Sequence, residues 1–294
     1  MNIGQKIREL RVAKLMTQAE LAGSRITRNM LSCIENGTAS PSLATVLYIA
    51  GRLNVPAGFL LAEEGDEIVY RKMNSFANIK RAYTAGDFRG CRSLCVSDCP
   101  EPDDEISLLL ADCDLEIATE EFWRGRLRSS CRFFDEALEY SEKTMYDTQR
   151  IEAMAKVFFR YMRRISPTLY SEFLDEEKEL SVSFRSSFAA YVDALEALDE
   201  GNSAVAAALI SEATAETFFV QHLRIRCMTE AQNYEDAKKL LLRLLNAETP
   251  LNEIYLYTVL CELEICCRET EDFKGAYRYA NEKVQLLEQM LTEF

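Results

Sequence analysis

The chain has 294 residues, of which 48% are apolar and 28% charged, a composition typical of a globular protein with a sizeable core. No apolar run approaches the roughly 18 residues of a membrane span, and the opening residues MNIGQKIRELRVAKLM lack the apolar segment of a signal peptide, so we expect a cytoplasmic protein with no membrane partner. The formal net charge is −14, but residues 1–61 carry seven basic and three acidic side chains, a net +4 against −18 for the remainder, so only this segment suits a nucleic-acid partner.

Three short helices are predicted at the start of the chain. Apolar residues at helical spacing in IGQKIREL indicate the first. The sequence TQAE at 17–20 fits a capping box, in which a hydroxyl and a carboxylate reciprocally satisfy free backbone N–H groups, and it predicts a second helix. Gly23-Ser24 then predicts a tight turn, after which Thr27 can cap a third helix.

The third helix divides into two faces at about 100° per residue. Met30, Leu31 and Ile34 share the arc that we expect to face the core. The opposite arc, which is expected to face outward, holds Arg28, Asn29, Ser32 and Cys33. Asn36-Gly37 ends the helix, because glycine suits the left-handed position that follows a helix C-terminus.

Two further helices are predicted, one after Pro41-Ser42 and a short one after Val55-Pro56 that ends at Leu61. A short capped helix, a turn and a second helix with a polar outer arc form a helix-turn-helix arrangement. Residues 3–61 resemble the phage-repressor (Cro/CI-type) helix-turn-helix domain, through the motifs TQxELA, LSxIENG and PSL. The resemblance implies a five-helix DNA-binding domain over residues 1–61.

The same resemblance implies a role for each polar position. The residues at base-reading positions are Arg28, Asn29, Ser32 and Cys33. The residues at phosphate-binding positions are Gln18, Thr27 and Asn36. Arg can bind guanine and Asn adenine, each through two hydrogen bonds, whereas Cys33 offers at most packing against a thymine methyl. Arg11 and Glu35 match a buried pair common in the family, which implies a structural role. Without the motif, the outward arc would be an ordinary solvated face, and protein binding remains the alternative use of such a domain.

Residues 62–67, AEEGDE, are predicted to form an acidic linker. From residue 68 to 294 the sequence predicts one helix after another, with no strand pattern. One turn pattern recurs in this part: AGDFRGC (85–91), EGNSAVA (200–206), AQNYEDA (231–237) and TEDFKGA (270–276). In each, an Asp or Asn comes immediately before the second helix, and the residue after it is aromatic in three of the four. A small residue follows three places after that position, inside the second helix. The small residue lets the two helices approach, and the aromatic residue is expected to fill the gap between repeats.

The spacing of these turns resembles tetratricopeptide repeats. Helix pairs are predicted at roughly 66–99, 102–142, 146–175, 180–213, 215–246 and 251–294. The fold class expected for the chain is therefore all-α, a helix-turn-helix domain followed by an α-solenoid of tetratricopeptide-like pairs with a concave binding face.

Two residue clusters suggest chemistry, and for both we favour a structural interpretation. Cys91, Cys95 and Cys99 recur along one helical stripe and could form a metal or redox site, but a row of small buried side chains is the preferred interpretation. The acidic run at 175–177 is interpreted as a solvated helix face rather than metal ligands. No phosphate-binding loop, nucleophile elbow or HExxH motif is present, so we predict no enzymatic activity, no cofactor and no metal.

The combination of the two segments resembles the peptide-responsive (RRNPP-type) quorum-sensing regulators of Gram-positive bacteria. This implies a sequence-specific transcription regulator that binds a double-stranded DNA operator and is controlled by a short peptide on the repeats. The alternative is a DNA-binding adaptor controlled by a protein partner that docks on the repeats, with no diffusible ligand. Effector contacts are predicted for a set of six residues, each of which could alternatively be an ordinary exposed or inter-repeat residue: Asn78, Arg81, Tyr191, Gln221, Arg224 and Tyr257.

A homodimer is predicted, because one such domain covers only a few base pairs and two-fold operators match two-fold proteins. The apolar residues near the C-terminus, Leu286, Leu287, Met290 and Leu291, supply either the dimer contact or the closing cap of the solenoid.

Overall fold

The computed structural model describes residues 2–62, 67–169 and 186–292, which form two compact units, Met1–Pro102 and Asp103–Phe294. The first unit contains α1 Ile3–Ala13, α2 Gln18–Ala22, α3 Arg28–Glu35, α4 Leu43–Leu53, α5 Ala57–Leu61, α6 Glu67–Thr84 and α7 Phe88–Asp98. The second contains α8 Asp104–Trp123, α9 Leu127–Glu142, α10 Gln149–Ile165, α11 Ser187–Asp199, α12 Ala204–Glu212, α13 Phe218–Glu230, α14 Tyr234–Leu245, α15 Glu253–Glu269 and α16 Phe273–Leu291. The fold is all-α as predicted, and the first unit takes in α6 and α7, whereas the domain boundary placed at residues 61–68 stays a prediction.

All five predicted helices of the N-terminal domain are confirmed, and side-chain caps mark where the first four begin. Thr17 and Glu20 form the predicted capping box, with 2.7 Å from the Thr17 N–H to Glu20 Oε2. The Thr27 hydroxyl accepts from the Met30 N–H at 3.1 Å, and Ser42 caps α4 in the same way. These caps satisfy N–H groups that the first turn of a helix leaves free.

Met30 was expected to face the core, and this prediction is wrong. Its side chain is 45% exposed, whereas Leu31, Ile34 and Glu35 are buried. Because the buried residues of α3 include Glu35, the centre of the buried arc is shifted toward Glu35. At 100° per residue, Met30 lies roughly 90° from that centre.

Helices α1 and α3 touch through their backbones at Gly4. A Cβ atom at this position would lie 2.0 Å from the carbonyl oxygen of Ile34. The contact lets Ile7 on α1 reach the core around Leu31 and Ile49, where all three side chains are buried. Gly4 therefore sets the distance between the first helix and the helix that carries the polar outer arc.

The cysteine stripe is buried, as the preferred interpretation expected. Cys91 and Cys95 lie on α7 with no exposed surface, and Cys99 follows the helix end and is also buried. Burial and the neighbouring Cys91 thiol raise the pKa of Cys95, which keeps its thiol in the neutral form.

The helix pairs of the second unit follow the predicted order. The pairs at 102–142, 215–246 and 251–294 are α8–α9, α13–α14 and α15–α16, and the pair at 180–213 ends in α11–α12. Only the first helix of the pair at 146–175 is described, as α10, and the acidic run at 175–177 lies outside the described residues. Within the described ranges, no helix combines the length and apolar character that crossing a bilayer requires.

A left-handed residue marks the turn inside each of five helix pairs. These residues are Gly86, Gly125, Gly201, Gln232 and Glu271, all with φ between 59° and 80°. The fifth residue after each turn is small: Cys91, Ser130, Ala206, Ala237 and Ala276. The turn at Gly125 was missed in the sequence because RGRL lacks the Asp or Asn of the other four turns and the aromatic residue that three of them have. At the last turn the aromatic residue, Phe273, is 68% exposed and does not fill a gap between repeats.

Replacing Gln232 or Glu271 by glycine should stabilise the second unit by about 0.5–1 kcal/mol each. A side chain at positive φ costs about 1–2 kcal/mol, which exceeds the entropy cost of glycine. Urea unfolding of the full chain measures the change. Ala231→Gly is the matched control, because Ala231 has φ of −80° and should lose stability. Equal destabilisation by Ala231→Gly and Gln232→Gly would contradict the prediction.

Aromatic residues fill the centre of the second unit and join its first helix pair to its last. The Trp123 ring lies 5.2 Å from Phe188 and 5.4 Å from Tyr255, centroid to centroid. The turn after Trp123 also meets the last pair, since a Cβ on Gly125 would lie 2.6 Å from Glu253 Cβ and 3.3 Å from Met290 Cγ. The two ends of this unit are therefore in direct contact.

The apolar residues near the C-terminus pack inside the same unit. Met290 is buried, and Leu286, Leu287 and Leu291 are partly buried against the aromatic core. Of the two alternatives for these residues, the structure favours the closing cap over a dimer contact.

Candidate functional site

The outer arc of α3 presents polar side chains to solvent. Arg28, Asn29 and Cys33 are exposed and Ser32 is half-buried. Within the described part of the chain, no hydrogen bond or ion pair engages the side chain of Arg28 or Asn29. Their donors and acceptors are therefore free to bind another molecule.

Local structure fixes the direction of this arc. Leu31 and Ile34 anchor the opposite side of α3 in the core, and Thr27 caps its first turn. Asn36 is the C-terminal cap of α3, and Gly37 follows it with φ of 73°. Thr27 and Asn36 are both exposed, so the two predicted phosphate contacts flank the polar arc at the two ends of α3.

A partly buried ion pair connects α1 and α3. Arg11 donates to both Glu35 carboxylate oxygens, at 2.7 and 3.0 Å, and to the Met16 carbonyl at 2.9 Å. Burial raises the pKa of Glu35, but hydrogen bonds from Arg11 and Gln18 outweigh it, so the net pKa lies below its usual value. The predicted structural pairing of Arg11 with Glu35 is confirmed.

Gln18 has a structural contact that sequence reasoning missed. Its side-chain amide donates to Glu35 Oε2 at 2.9 Å, which ties the start of α2 to the end of α3. One amide N–H and the amide oxygen remain for another partner, so its phosphate role stays a prediction. The other end of α2 is held by Tyr48, whose hydroxyl donates to the Ala22 carbonyl at 3.0 Å.

The positive charge of the N-terminal domain is not all on its surface. Lys6 is 1% exposed and its Nζ donates to the Ala62 carbonyl at 2.5 Å, next to the end of α5. Arg25 is exposed and its guanidinium lies 5.6 Å from the centre of the Tyr48 ring. Lys14 and Arg28 are also exposed. The basic surface of the domain is therefore made by exposed residues such as Lys14, Arg25 and Arg28, and the buried Lys6 does not contribute to it.

The six predicted effector residues are divided between the two units. Asn78 and Arg81 lie on α6 in the first unit, where both are exposed and Arg81 donates to the Asn78 amide oxygen at 3.3 Å. The other four lie in the second unit. Tyr257 is half-buried there, with its hydroxyl 3.5 Å from the carbonyl oxygen of Ile165.

Tyr191 is not available to a surface ligand, contrary to the prediction. Its side chain is 1% exposed, and its hydroxyl lies 2.9 Å from His222 Nδ1 in the core. Glu262 lies beyond, with Oε1 3.7 Å from His222 Nε2 and 3.4 Å from an Arg226 nitrogen. Burial raises the pKa of Glu262, but His222 and Arg226 outweigh it and hold the pKa below its usual value. This chain of contacts makes Tyr191 part of the internal packing.

Gln221 and Arg224 line one groove in the second unit, of about 420 Å³. Its apolar wall is made by Ile225, Leu240, Leu244 and Ala247. Glu216 and Arg243 complete the polar rim, and Arg224 forms an ion pair with Glu216. An apolar wall beside a few convergent polar groups is the arrangement typical of a small-ligand site.

Comparison with known proteins concerns mainly the N-terminal segment. Residues 7–60 match the helix-turn-helix family model HTH_3. The immunity repressor protein of Bacillus phage phi105 is 34% identical over 65 residues, which cover 22% of this chain and 45% of the phage protein. The chain therefore spans less than half the length of that relative. The predicted helix-turn-helix domain is confirmed, and so is the predicted resemblance of this segment to a phage repressor.

A solved structure also aligns with the full chain. It is the crystal structure of Bacillus thuringiensis PlcR in complex with the peptide PapR7 and DNA, which is 14% identical and covers 98% of this chain and 95% of PlcR. The TM-score of this alignment is 0.25.

Proposed function

We propose that this chain is a sequence-specific DNA-binding transcription regulator that acts as a homodimer on a two-fold operator and responds to an effector bound by its second unit. The observation that carries the proposal is the outer arc of α3. Arg28 and Asn29 stand exposed and without partners in the described structure, on the helix that helix-turn-helix proteins place in the DNA major groove.

The chemistry of the arc suits base recognition. The Arg28 guanidinium can donate to guanine O6 and N7, and the Asn29 amide can pair with adenine N6 and N7. Ser32 and Cys33 lie one turn further along the same face. Thr27, Asn36 and the free part of the Gln18 amide are assigned to phosphates, which set the register of the domain on DNA and carry no sequence information.

The effector assignment rests on the groove at Gln221 and Arg224. The Gln221 side-chain amide can both donate hydrogen bonds to a peptide backbone and accept them from it, and the apolar wall can bury side chains of the peptide. The −18 charge outside residues 1–61 favours a peptide with basic or neutral side chains over an acidic one. It also restricts DNA contact to the N-terminal domain.

Mass spectrometry of the purified full chain tests the effector. A co-purifying peptide whose binding is weakened by Gln221→Ala supports the proposal. A stable hetero-complex with another protein, and no bound peptide, supports the adaptor alternative.

Arg28→Ala should cost about 1–3 kcal/mol of binding free energy at the selected operator and relax the preference at one base pair. The reason is the loss of a bidentate contact to a single base. Binding titrations against the operator and its single-base variants, at one fixed salt concentration, measure the effect. Asn36→Ala is the control, because loss of a phosphate contact should weaken all sequences evenly. An Arg28→Ala protein with an unchanged specificity profile would show that α3 does not read bases.

A further inference from the structure

The last helix, α16, carries an exposed face that nothing in the described second unit covers. Phe273, Tyr277 and Val284 are 68%, 72% and 49% exposed. They lie on the side of α16 opposite Tyr279 and Met290, which are buried. An apolar stripe on the outside of a terminal repeat is unusual, because end repeats normally present a polar outer face.

The charges on this face divide along the helix. Lys274 lies toward its N-terminal end and Glu288 toward its C-terminal end, whereas Arg278 and Glu282 lie outside the face and form an ion pair with each other. Lys274 and Glu288 are both exposed, and Lys274, Tyr277, Asn281, Val284 and Glu288 follow the alternating three- and four-residue spacing of a helix–helix seam. A second copy of the same helix, running antiparallel, would place basic residues opposite acidic ones at both ends.

The register follows from the same positions. A two-fold axis at Asn281 places Lys274 opposite position 288 of the other helix and each Tyr277 next to Val284 of the other helix. An isologous contact needs a surface of this kind, which is complementary to itself. The face between Lys274 and Glu288 spans about 21 Å at 1.5 Å per residue.

We propose that the outer face of α16 is the surface through which two copies of this chain associate, with the two α16 helices antiparallel and Lys274 of each facing Glu288 of the other. This inference rests on the homodimer of the proposed function and assigns its contact surface. A face one helix wide is smaller than the roughly 800 Å² per partner of standard interfaces, so the dissociation constant should be on the order of micromolar.

Charge reversal tests the proposal in the full chain. Lys274→Glu should raise the dissociation constant at least about tenfold, because two carboxylates then face each other at each end, and Glu288→Lys should do the same. An equimolar mixture of the two variants should restore association, since each mixed contact again joins opposite charges. The double variant should also restore it. Sedimentation velocity at low salt, where exposed ion pairs are least screened, measures all four.

Two controls separate this surface from other causes. Lys239→Glu, an equal charge change on the exposed side of α14, should leave association unchanged. Tyr277→Asp should weaken association in every pairing, because it removes the apolar centre. Wild-type protein that stays monomeric, or single variants that associate as the wild type does, would overturn the proposal, as would a mixture no stronger than its components.

Operator binding distinguishes this inference from the proposed function. Lys274→Glu should still bind an isolated half-site with the base preference of the wild type. If charge reversal has no effect on association but the operator is bound specifically, the α16 surface is wrong and the DNA-binding function stands. If association follows the charge pattern but no DNA sequence is preferred, the surface stands and the proposed function fails.

Discussion

Gly4→Ala is expected to lower the free energy of unfolding of the first unit by about 2–4 kcal/mol, a cost typical of severe overpacking. The new Cβ atom would lie 2.0 Å from the Ile34 carbonyl oxygen, and this neighbour is backbone, which cannot rotate away. Helix α1 must therefore move from α3 by about 1 Å, which separates Ile7 from the core. Because α3 carries the polar arc, affinity for the operator should fall with the stability.

Gly51 offers a control of opposite sign in the same unit. It lies on α4, and a Cβ atom there would meet no atom within 4 Å. Gly51→Ala should stabilise the unit by about 0.5–1 kcal/mol, because alanine loses less backbone entropy in a helix. Scanning calorimetry of the full chain, with hydrogen exchange followed in α1 and α3, measures both changes. Comparable stabilisation by the two substitutions would show that the backbone contact at Gly4 is absent.

Gly125→Ala should destabilise the second unit by about 2–4 kcal/mol, since it combines two costs. Its φ is 70°, where alanine is disfavoured, and the new methyl group would press on Glu253 Cβ at 2.6 Å and on Met290. The turn between α8 and α9 would then be pushed from the last helix pair. Urea unfolding followed by the fluorescence of Trp123, two residues away in the aromatic core, measures the loss.

Gly201→Ala separates the two costs. Gly201 has φ of 80°, but a Cβ atom there would meet nothing within 4 Å. Its substitution should therefore cost only the backbone part, about 1 kcal/mol. If Gly125→Ala and Gly201→Ala cost the same, the contact of the first helix pair with the last does not add to stability.

The N-terminal domain could be predicted from sequence because its signals are local. The caps at Thr17 and Thr27 lie within three residues of the N–H groups they bind, so spacing alone identified them. The Arg11–Glu35 pair joins residues distant in sequence, and it was predicted only through the family resemblance. Met30 was misplaced because periodicity locates an apolar arc and cannot show that a buried glutamate shifts its centre.

The second unit was predicted less fully because its site depends on packing between distant helices. Tyr191 has the residue type and the helix position of an effector contact, but contacts with His222 and with the rings around it bury its side chain. Nothing near Tyr191 in the sequence signals this burial. Gln221 and Arg224 are one turn apart on α13, so their common groove follows from local spacing.

The contact between the ends of the second unit has a consequence for how it folds. In an open array of helix pairs, each pair touches only its neighbours, and the terminal pairs can unravel one after another. Here the turn at Gly125 and the ring of Trp123 meet Glu253 and Tyr255, so neither end is free. The rate-limiting step of folding should then be closure of this long loop, and native-state hydrogen exchange should show both ends opening together with the middle.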